Sequence, residues 1–257
     1  MHFVFDLDGT ICFKGKPLST KMVDCLLELI KSGNEVIFAS ARPIRDMLPV
    51  LDKRFHECTL IGGNGSLIYC RGKLICSTPF NNNELDEILS LIGKYNGTYL
   101  IDSDWDYSYT GPQNHPIKNN LDPGQLAQSK SITELQTIVK VLILTSFDFK
   151  ELSRELKSLD VVVNEHKKEN VLDISPKNIN KWSALSSLGV KEQEFIVFGN
   201  DSNDIPMFEK AKYSVMVGRH DKLSILATDS ISLEGDYEGK LVTKIRKLSN
   251  IYNTTKV

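Results

Sequence analysis

Residues 2–10 read His2-Phe3-Val4-Phe5-Asp6-Leu7-Asp8-Gly9-Thr10, and this stretch decides the fold. Its first half is apolar and aromatic, with strand propensity, and predicts a buried β-strand over His2 to Leu7. Its second half sets two carboxylates two residues apart, followed at once by a Gly-Thr turn signal. In extended chain, residues at period two point to the same side, so Asp6 and Asp8 can serve one site. Two carboxylates beside an apolar run are costly unless a cation or a proton is shared. An Asp-x-Asp is also a common solvated turn, and alone the stretch leaves both readings open.

Working outward, the same grammar repeats. Ser19 to Ser32 carries Met22, Val23, Leu26, Leu27, Leu29 and Ile30 at helical spacing, with Ser19 as N-cap and Gly33 as C-cap. Glu35 to Ala39 (EVIFA) predicts a second strand and Cys58 to Ile61 a third. Near the C-terminus, strands are expected at Phe195–Phe198 and Tyr213–Val217. Helices are expected at Asp204–Lys210, Asp221–Ala227 and Lys240–Leu248. Short β-branched runs alternating with helices indicate a parallel sheet with crossover connections.

The middle of the chain differs. Between Pro79 and Ser175 the pattern predicts helices at Asn83–Tyr95, Ile132–Ile138 and Phe149–Leu159. Strands are expected at Thr98–Ser103, Tyr107–Thr110, Val139–Thr145, Val161–His166 and Asn170–Ile174, with a long Pro-rich loop over Gly111–Ser129. Paired strands between helices suggest an α+β sheet with helices on one face. The expected organisation is a discontinuous core, residues 1–78 and 176–257, with a second domain, 79–175, inserted between its halves.

Composition narrows the function classes. The chain has 257 residues, 41% hydrophobic and 25% charged, with a net charge of −2. That balance is ordinary for a globular protein and lacks the basic footprint of a nucleic-acid binder. No apolar stretch reaches the ~20 residues needed to cross a bilayer. Asp6 and Asp8 interrupt the first apolar segment, unlike a signal peptide. The five cysteines form no Cys-x-x-Cys pair, which argues against a disulfide framework or a thiolate zinc site and for a reducing, cytoplasmic setting.

Three further clues lie at the ends of predicted elements. Gly199-Asn200-Asp201-Ser202-Asn203-Asp204 follows the Phe195–Phe198 strand. Clustered carboxyl and amide oxygens suit a hard cation such as magnesium, although an Asx-rich turn capping the next helix has the same composition. Ser40 stands just beyond the EVIFA strand, placed either to donate to a phosphate oxygen or to cap a helix. Lys181, in Lys181-Trp182-Ser183-Ala184-Leu185, reads by itself as a surface lysine. In open parallel sheets, ligands bind beyond the carboxyl ends of strands, where these clusters fall.

In this order the four pieces resemble the haloacid dehalogenase superfamily over essentially the whole chain. Asp6-Leu7-Asp8-Gly9-Thr10 is similar to its first motif, Ser40 to its second, Lys181 to its third and Gly199–Asp204 to its fourth. The large insertion resembles the α/β cap of the Cof-like sugar phosphatases, as does Ile61-Gly62-Gly63-Asn64-Gly65 before it. The resemblance implies a doubly wound, Rossmann-like α/β core with an inserted α+β cap domain. It also implies a magnesium-dependent phosphatase acting on a small phosphorylated metabolite, a sugar phosphate first and a phosphorylated cofactor second. The chain is then expected to be a monomer or a weak homo-oligomer, with neither nucleic acid nor membrane as partner.

The resemblance also implies roles. Asp6 attacks phosphorus to form an aspartyl-phosphate; Asp8 protonates the leaving alcohol and then activates water. Ser40, Lys181 and Asn203 hold phosphoryl oxygens. Asp6, Asp8, Asn200, Asp201 and Asp204 supply the magnesium ligands. Arg42 and Asn64 at the core mouth are candidate substrate contacts, ahead of His115, Lys118, His166, Lys168 and Asn170 in the insertion. One position departs from the family: Asn200 stands where an acid is usual, so either Asn200 or Asp201 is the ligand. A sugar-phosphate mutase and a non-catalytic binding protein of the same fold remain as alternatives.

Overall fold

The structure, a computed structural model, describes residues 1–166 and 170–253. The chain begins with β1 (His2–Phe5), α1 (Thr20–Lys31), β2 (Glu35–Ala39), the one-turn α2 (Ile44–Met47) and β3 (Thr59–Gly62). A hairpin follows, β4 (Leu67–Cys70) and β5 (Lys73–Ser77). The middle holds α3 (Asn82–Lys94), β6 (Thr98–Asp102), β7 (Tyr107–Tyr109), β8 (Lys140–Thr145), α4 (Phe149–Leu156), β9 (Val162–His166) and β10 (Val171–Ser175). The last third comprises α5 (Lys181–Ser187), β11 (Phe195–Gly199), α6 (Ile205–Phe208), β12 (Tyr213–Val217), α7 (Asp221–Leu226), β13 (Asp229–Ile231) and α8 (Tyr237–Asn253).

Eight strands form one sheet in the order β13-β12-β11-β1-β2-β3-β4-β5, parallel from β13 to β3 and antiparallel through the hairpin. The strands are apolar on both faces because helices cover both. Phe3 and Phe5 of β1, Val36 and Phe38 of β2, and Ile196 and Phe198 of β11 pack toward α1 and α8. The alternate residues Val4, Ile37, Phe195 and Val197 pack toward α5, α6 and α7. Phe5 and Phe198 stack with centroids 4.9 Å apart. Burying one such ring contributes about 2–3 kcal/mol.

A second sheet of five strands, in the order β7-β6-β8-β10-β9, is wholly antiparallel. Ile101, Val141, Ile143, Leu172 and Ile174 face α3 and α4. The opposite face carries Leu100, Leu142, Leu144 and Val171. It lies over the carboxyl ends of the first sheet's strands, leaving a cleft of about 540 Å³ between them. The fold is thus a doubly wound α/β core with an inserted α+β cap.

Some elements differ from the sequence reading. The expected helix Ile132–Ile138 is a single 3-10 turn, Ile132–Glu134. Its Ser131–Glu134 capping box starts a helix, but Thr137-Ile138-Val139 is β-branched and continues into β8. The β4–β5 hairpin and β13 were not anticipated. The hairpin's turn is Arg71-Gly72, both at positive φ (50° and 72°), as a two-residue hairpin turn requires. Helix α8 runs three residues longer at its amino end and five residues longer at its carboxyl end than expected. All five cysteines are free thiols, and no described helix is long and apolar enough to cross a membrane.

Candidate active site

β1 lies between β11 and β2, and the chain winds outward from it in both directions, so the sheet's topological switch point falls beside its carboxyl end. Asp6 is the first residue past β1 and extends the sheet by donating its N–H to Phe198 O at 2.9 Å. Ser40 holds the equivalent place past β2, its N–H on Ile61 O at 2.8 Å. The Asn200–Asp204 loop leaves β11. Three adjacent strands therefore bring three of the predicted motifs to one edge.

The fourth arrives from α5. Lys181 is the first residue of that helix, capped by Asn180, and is fully buried. Its position depends on close backbone approach: Gly65, at φ +112°, lies so near Asn180 O that a Cβ would collide with it. The Lys181 ammonium reaches Asp6 Oδ1 and Asp204 Oδ1, each at 2.7 Å. Thr10 donates its hydroxyl to the other Asp6 oxygen at 2.8 Å.

Burial pushes the Asp6 carboxyl up to about 7; Lys181 pulls against this, while Asp204 and Asp8 push further up. Burial also works against the Lys181 charge, but Asp204 and Asp6 outweigh it and hold the ammonium above its ordinary range. The nucleophile candidate thus sits in a site short of positive charge.

Asp204, the last residue of the expected metal-binding loop, makes three contacts within the protein. It is fully buried; Oδ1 takes the Lys181 ammonium. Oδ2 takes the N–H groups of Asn200 at 2.8 Å and Asp201 at 3.2 Å. One oxygen is engaged by the loop and the other by Lys181 of α5, so Asp204 shapes the loop and fixes Lys181. Asn200 and Asp201 line the cleft. The Asn200 amide lies against Gly9, where a Cβ would collide with it.

Asp8 also lines the cleft, half exposed, and the Arg42 guanidinium grips its carboxylate through two hydrogen bonds of 2.6 and 2.7 Å. Burial lowers the Arg42 charge preference, and the bonds to Asp8 more than restore it. Ser40 is buried and its hydroxyl accepts the Arg42 N–H at 3.1 Å. Asn203 lines the cleft and donates to Asn64 Oδ1 at 3.1 Å.

Asn64, the other candidate substrate contact, is buried. It adopts φ +59° and ties Asn203 to Asp173 of the cap, donating to Asp173 Oδ2 at 3.0 Å. Of the insertion's candidates, His166 lines the cleft; His115, Lys118 and Asn170 do not, and Lys168 lies outside the described residues.

Sequence reasoning missed four residues at the junction of cap and core. Asp173 is buried and receives the Lys140 ammonium at 3.0 Å and His166 Nε2 at 3.4 Å. Lys140 also donates to Ala41 O, beside Ser40, at 2.6 Å. Arg45, fully buried in α2, is ion-paired with Asp102 and donates to Trp105 O at 2.8 Å. The signal was present: Asp102, Lys140 and Asp173 are charges within or at the end of apolar strand runs, where an unpaired charge is costly.

Among the described residues there is no cluster of three or more His, Cys, Asp or Glu side chains set to hold a metal. The Asp6 carboxylate, the Asp8 backbone carbonyl and the Asn200 or Asp201 side chain make an all-oxygen set where one buried ammonium, Lys181, faces two buried carboxylates. That set fits magnesium, which binds through one or two carboxylates and keeps several waters.

Acidic groups at a strand-end switch point, roofed by a second sheet, define a capped α/β hydrolase. The chain belongs to the haloacid dehalogenase-like hydrolase family, whose model matches residues 3–239. A Mycoplasma pneumoniae protein named provisionally as a phosphatase is 28% identical over 93% of this chain and 94% of its own. An HMP-PP phosphatase of Serratia proteamaculans is 24% identical over 83% of this chain and 82% of its own. The solved structure of a subclass IIB sugar phosphatase of the superfamily shares the fold, with a TM-score of 0.79 at 17% identity over 97% of this chain and 99% of its own.

Proposed function

We propose that the chain is a magnesium-dependent phosphatase that releases phosphate from monoesters of small metabolites, with a sugar phosphate as the first substrate class. Residues 79–175 act as its cap and 1–78 with 176–257 as its catalytic core. The observation that carries the reading is the buried Lys181 ammonium 2.7 Å from Asp6 Oδ1, at the carboxyl end of the central strand. An ammonium there fixes the nucleophile's orientation and meets the oxygens of a phosphoryl group brought to it.

In this reading the Asp6 carboxylate attacks phosphorus, the ester oxygen departs, and an aspartyl-phosphate forms. Thr10 holds the second Asp6 oxygen and so fixes the carboxylate's orientation. Asp8, entering the cycle protonated with one oxygen released from Arg42, gives that proton to the leaving oxygen and afterwards takes one from the hydrolytic water. Arg42 orients that carboxylate through its two-pronged contact. Ser40 and Asn203 take the remaining phosphoryl oxygens. Asp6, the Asp8 carbonyl and Asn200 or Asp201 would hold magnesium. When bound, magnesium neutralises charge on the transferring group and offsets repulsion between the dianion and the acidic site, about 4 kcal/mol per like-charge pair at ~4 Å and an effective dielectric near 20.

The two relatives with phosphatase names and the sugar phosphatase fold support this reading. The test is a phosphate-release screen over sugar phosphates and phosphorylated cofactors, with magnesium and after chelation. Release that stops on chelation and returns with magnesium is expected. Release indifferent to chelation, or none with any ester, would overturn the proposal.

A further inference from the structure

Charge around the cleft is matched acid by acid. Asp6 is paired with Lys181 at 2.7 Å, Asp8 with Arg42 at 2.6 Å and Asp173 with Lys140 at 3.0 Å. Asp102 is paired with Arg45, which also lies 3.4 Å from Asp46 Oδ1. Asp201, within 3.7 Å of the His166 and His220 rings, belongs to the magnesium set. One cation that lines the cleft is left over: among the described residues, Lys14 makes no ion pair and no side-chain hydrogen bond.

An exposed lysine is often satisfied by water alone; Lys14 differs in how the chain holds it. Lys14 and Gly15 are the central residues of a turn closed by the Lys16 N–H on Phe13 O at 3.1 Å. Their φ angles are +56° and +66°. Such turns favour Asn, Asp or Gly at the first central position, and other side chains there are strained. The turn is also anchored on both sides. Its base is fixed by the Gly9 N–H on Cys12 O at 2.8 Å, and by Phe13 packed on Tyr237 with centroids 4.6 Å apart. Gly15 lies so close to Asn120 of the cap that a Cβ would meet its side-chain oxygen at 2.6 Å. A strained, anchored turn thus carries the unpaired ammonium at the seam of core and cap, in the cleft that holds Asp6 and Asp8.

We propose that Lys14 is a specificity-determining residue that binds a second anionic group, a carboxylate or a phosphate, on the leaving group of the substrate. This rests on the phosphatase reading and deepens it. A cleft of about 540 Å³ admits a leaving group of sugar size, with phosphorus at Asp6 and the far anion at Lys14. The carboxylate arm of the test compares 6-phosphogluconate with glucose 6-phosphate; the phosphate arm compares fructose 1,6-bisphosphate with fructose 6-phosphate. For the magnesium-loaded wild-type chain, kcat/KM is expected to favour the anionic member of at least one pair by about fivefold, through KM. Added salt should shrink that preference, because the ammonium is exposed. Lys14→Asn, which suits the turn, should abolish the preference by raising KM for the anionic member. Lys14→Arg should keep it.

No preference for the anionic member in either pair overturns the inference while the phosphatase reading stands. So does a preference that Lys14→Asn leaves unmoved. Failure to hydrolyse any ester overturns both. The wild-type comparison needs no variant to fold.

Discussion

The Arg42 guanidinium and the Asp8 carboxylate meet in a two-pronged ion pair, with bonds of 2.6 and 2.7 Å, at the rim of the cleft. The pair joins the loop after β1 to the loop after β2, so the expected proton donor is oriented by the strand next door. Arg42→Lys keeps the charge but loses the planar fork. Its kcat is expected to fall by about tenfold or more, within the usual range for a misplaced acid–base group. Steady-state kinetics on the best substrate checks this; an unchanged kcat would show that Asp8 holds its place without Arg42.

Lys181 neutralises two buried carboxylates at once. Replacing it with methionine leaves Asp6 and Asp204 facing each other without a cation, which is expected to cost about 3–5 kcal/mol of stability along with activity. Adding Asp204→Asn removes one of the stranded charges. The double variant should therefore recover part of the lost melting temperature and none of the turnover, as thermal unfolding and phosphate release would report.

Asp46 gives a pH signature away from the chemistry. Burial pushes its carboxyl up to about 7 from an ordinary 3.8, against the pull of Arg45. The folded state thus holds a proton that the unfolded state releases between about pH 4 and 7. Stability from this group is full below that window and is lost as pH rises through it. Asp46→Asn keeps an acceptor for the Asp122 N–H, made at 2.9 Å in the wild type. Its melting temperature relative to wild type should climb from pH 4 to pH 7 and level off above; a constant difference would contradict the assignment.

Much of this was legible in the sequence because core strands buried on both faces are written as unbroken apolar runs such as His2–Phe5 and Phe195–Phe198. The residues that end those runs, Asp6 and the Asn200 loop, then mark the sheet edge. What local pattern could not carry was partnership across the chain. Asn64 reads as a mouth residue, but 109 positions separate it from the Asp173 carboxylate it binds. Asp204 reads as one more acid in an acidic loop, and only the folded loop turns two N–H groups and Lys181 onto it. Lys140 and Asp173 were hidden inside strands whose apolar neighbours dominated the reading. The hairpin β4–β5 was missed because β5 is largely exposed and carries little apolar periodicity.

The proposed chemistry depends on Asp6 as the nucleophile. The most direct measurement is phosphate release by Asp6→Asn, a near-isosteric change that removes the attacking carboxylate and also one charge from an acidic site. With folding verified by thermal unfolding in the presence of magnesium, turnover should drop by about 10³-fold or more for every ester the wild type hydrolyses. Turnover within a few fold of wild type would contradict the account.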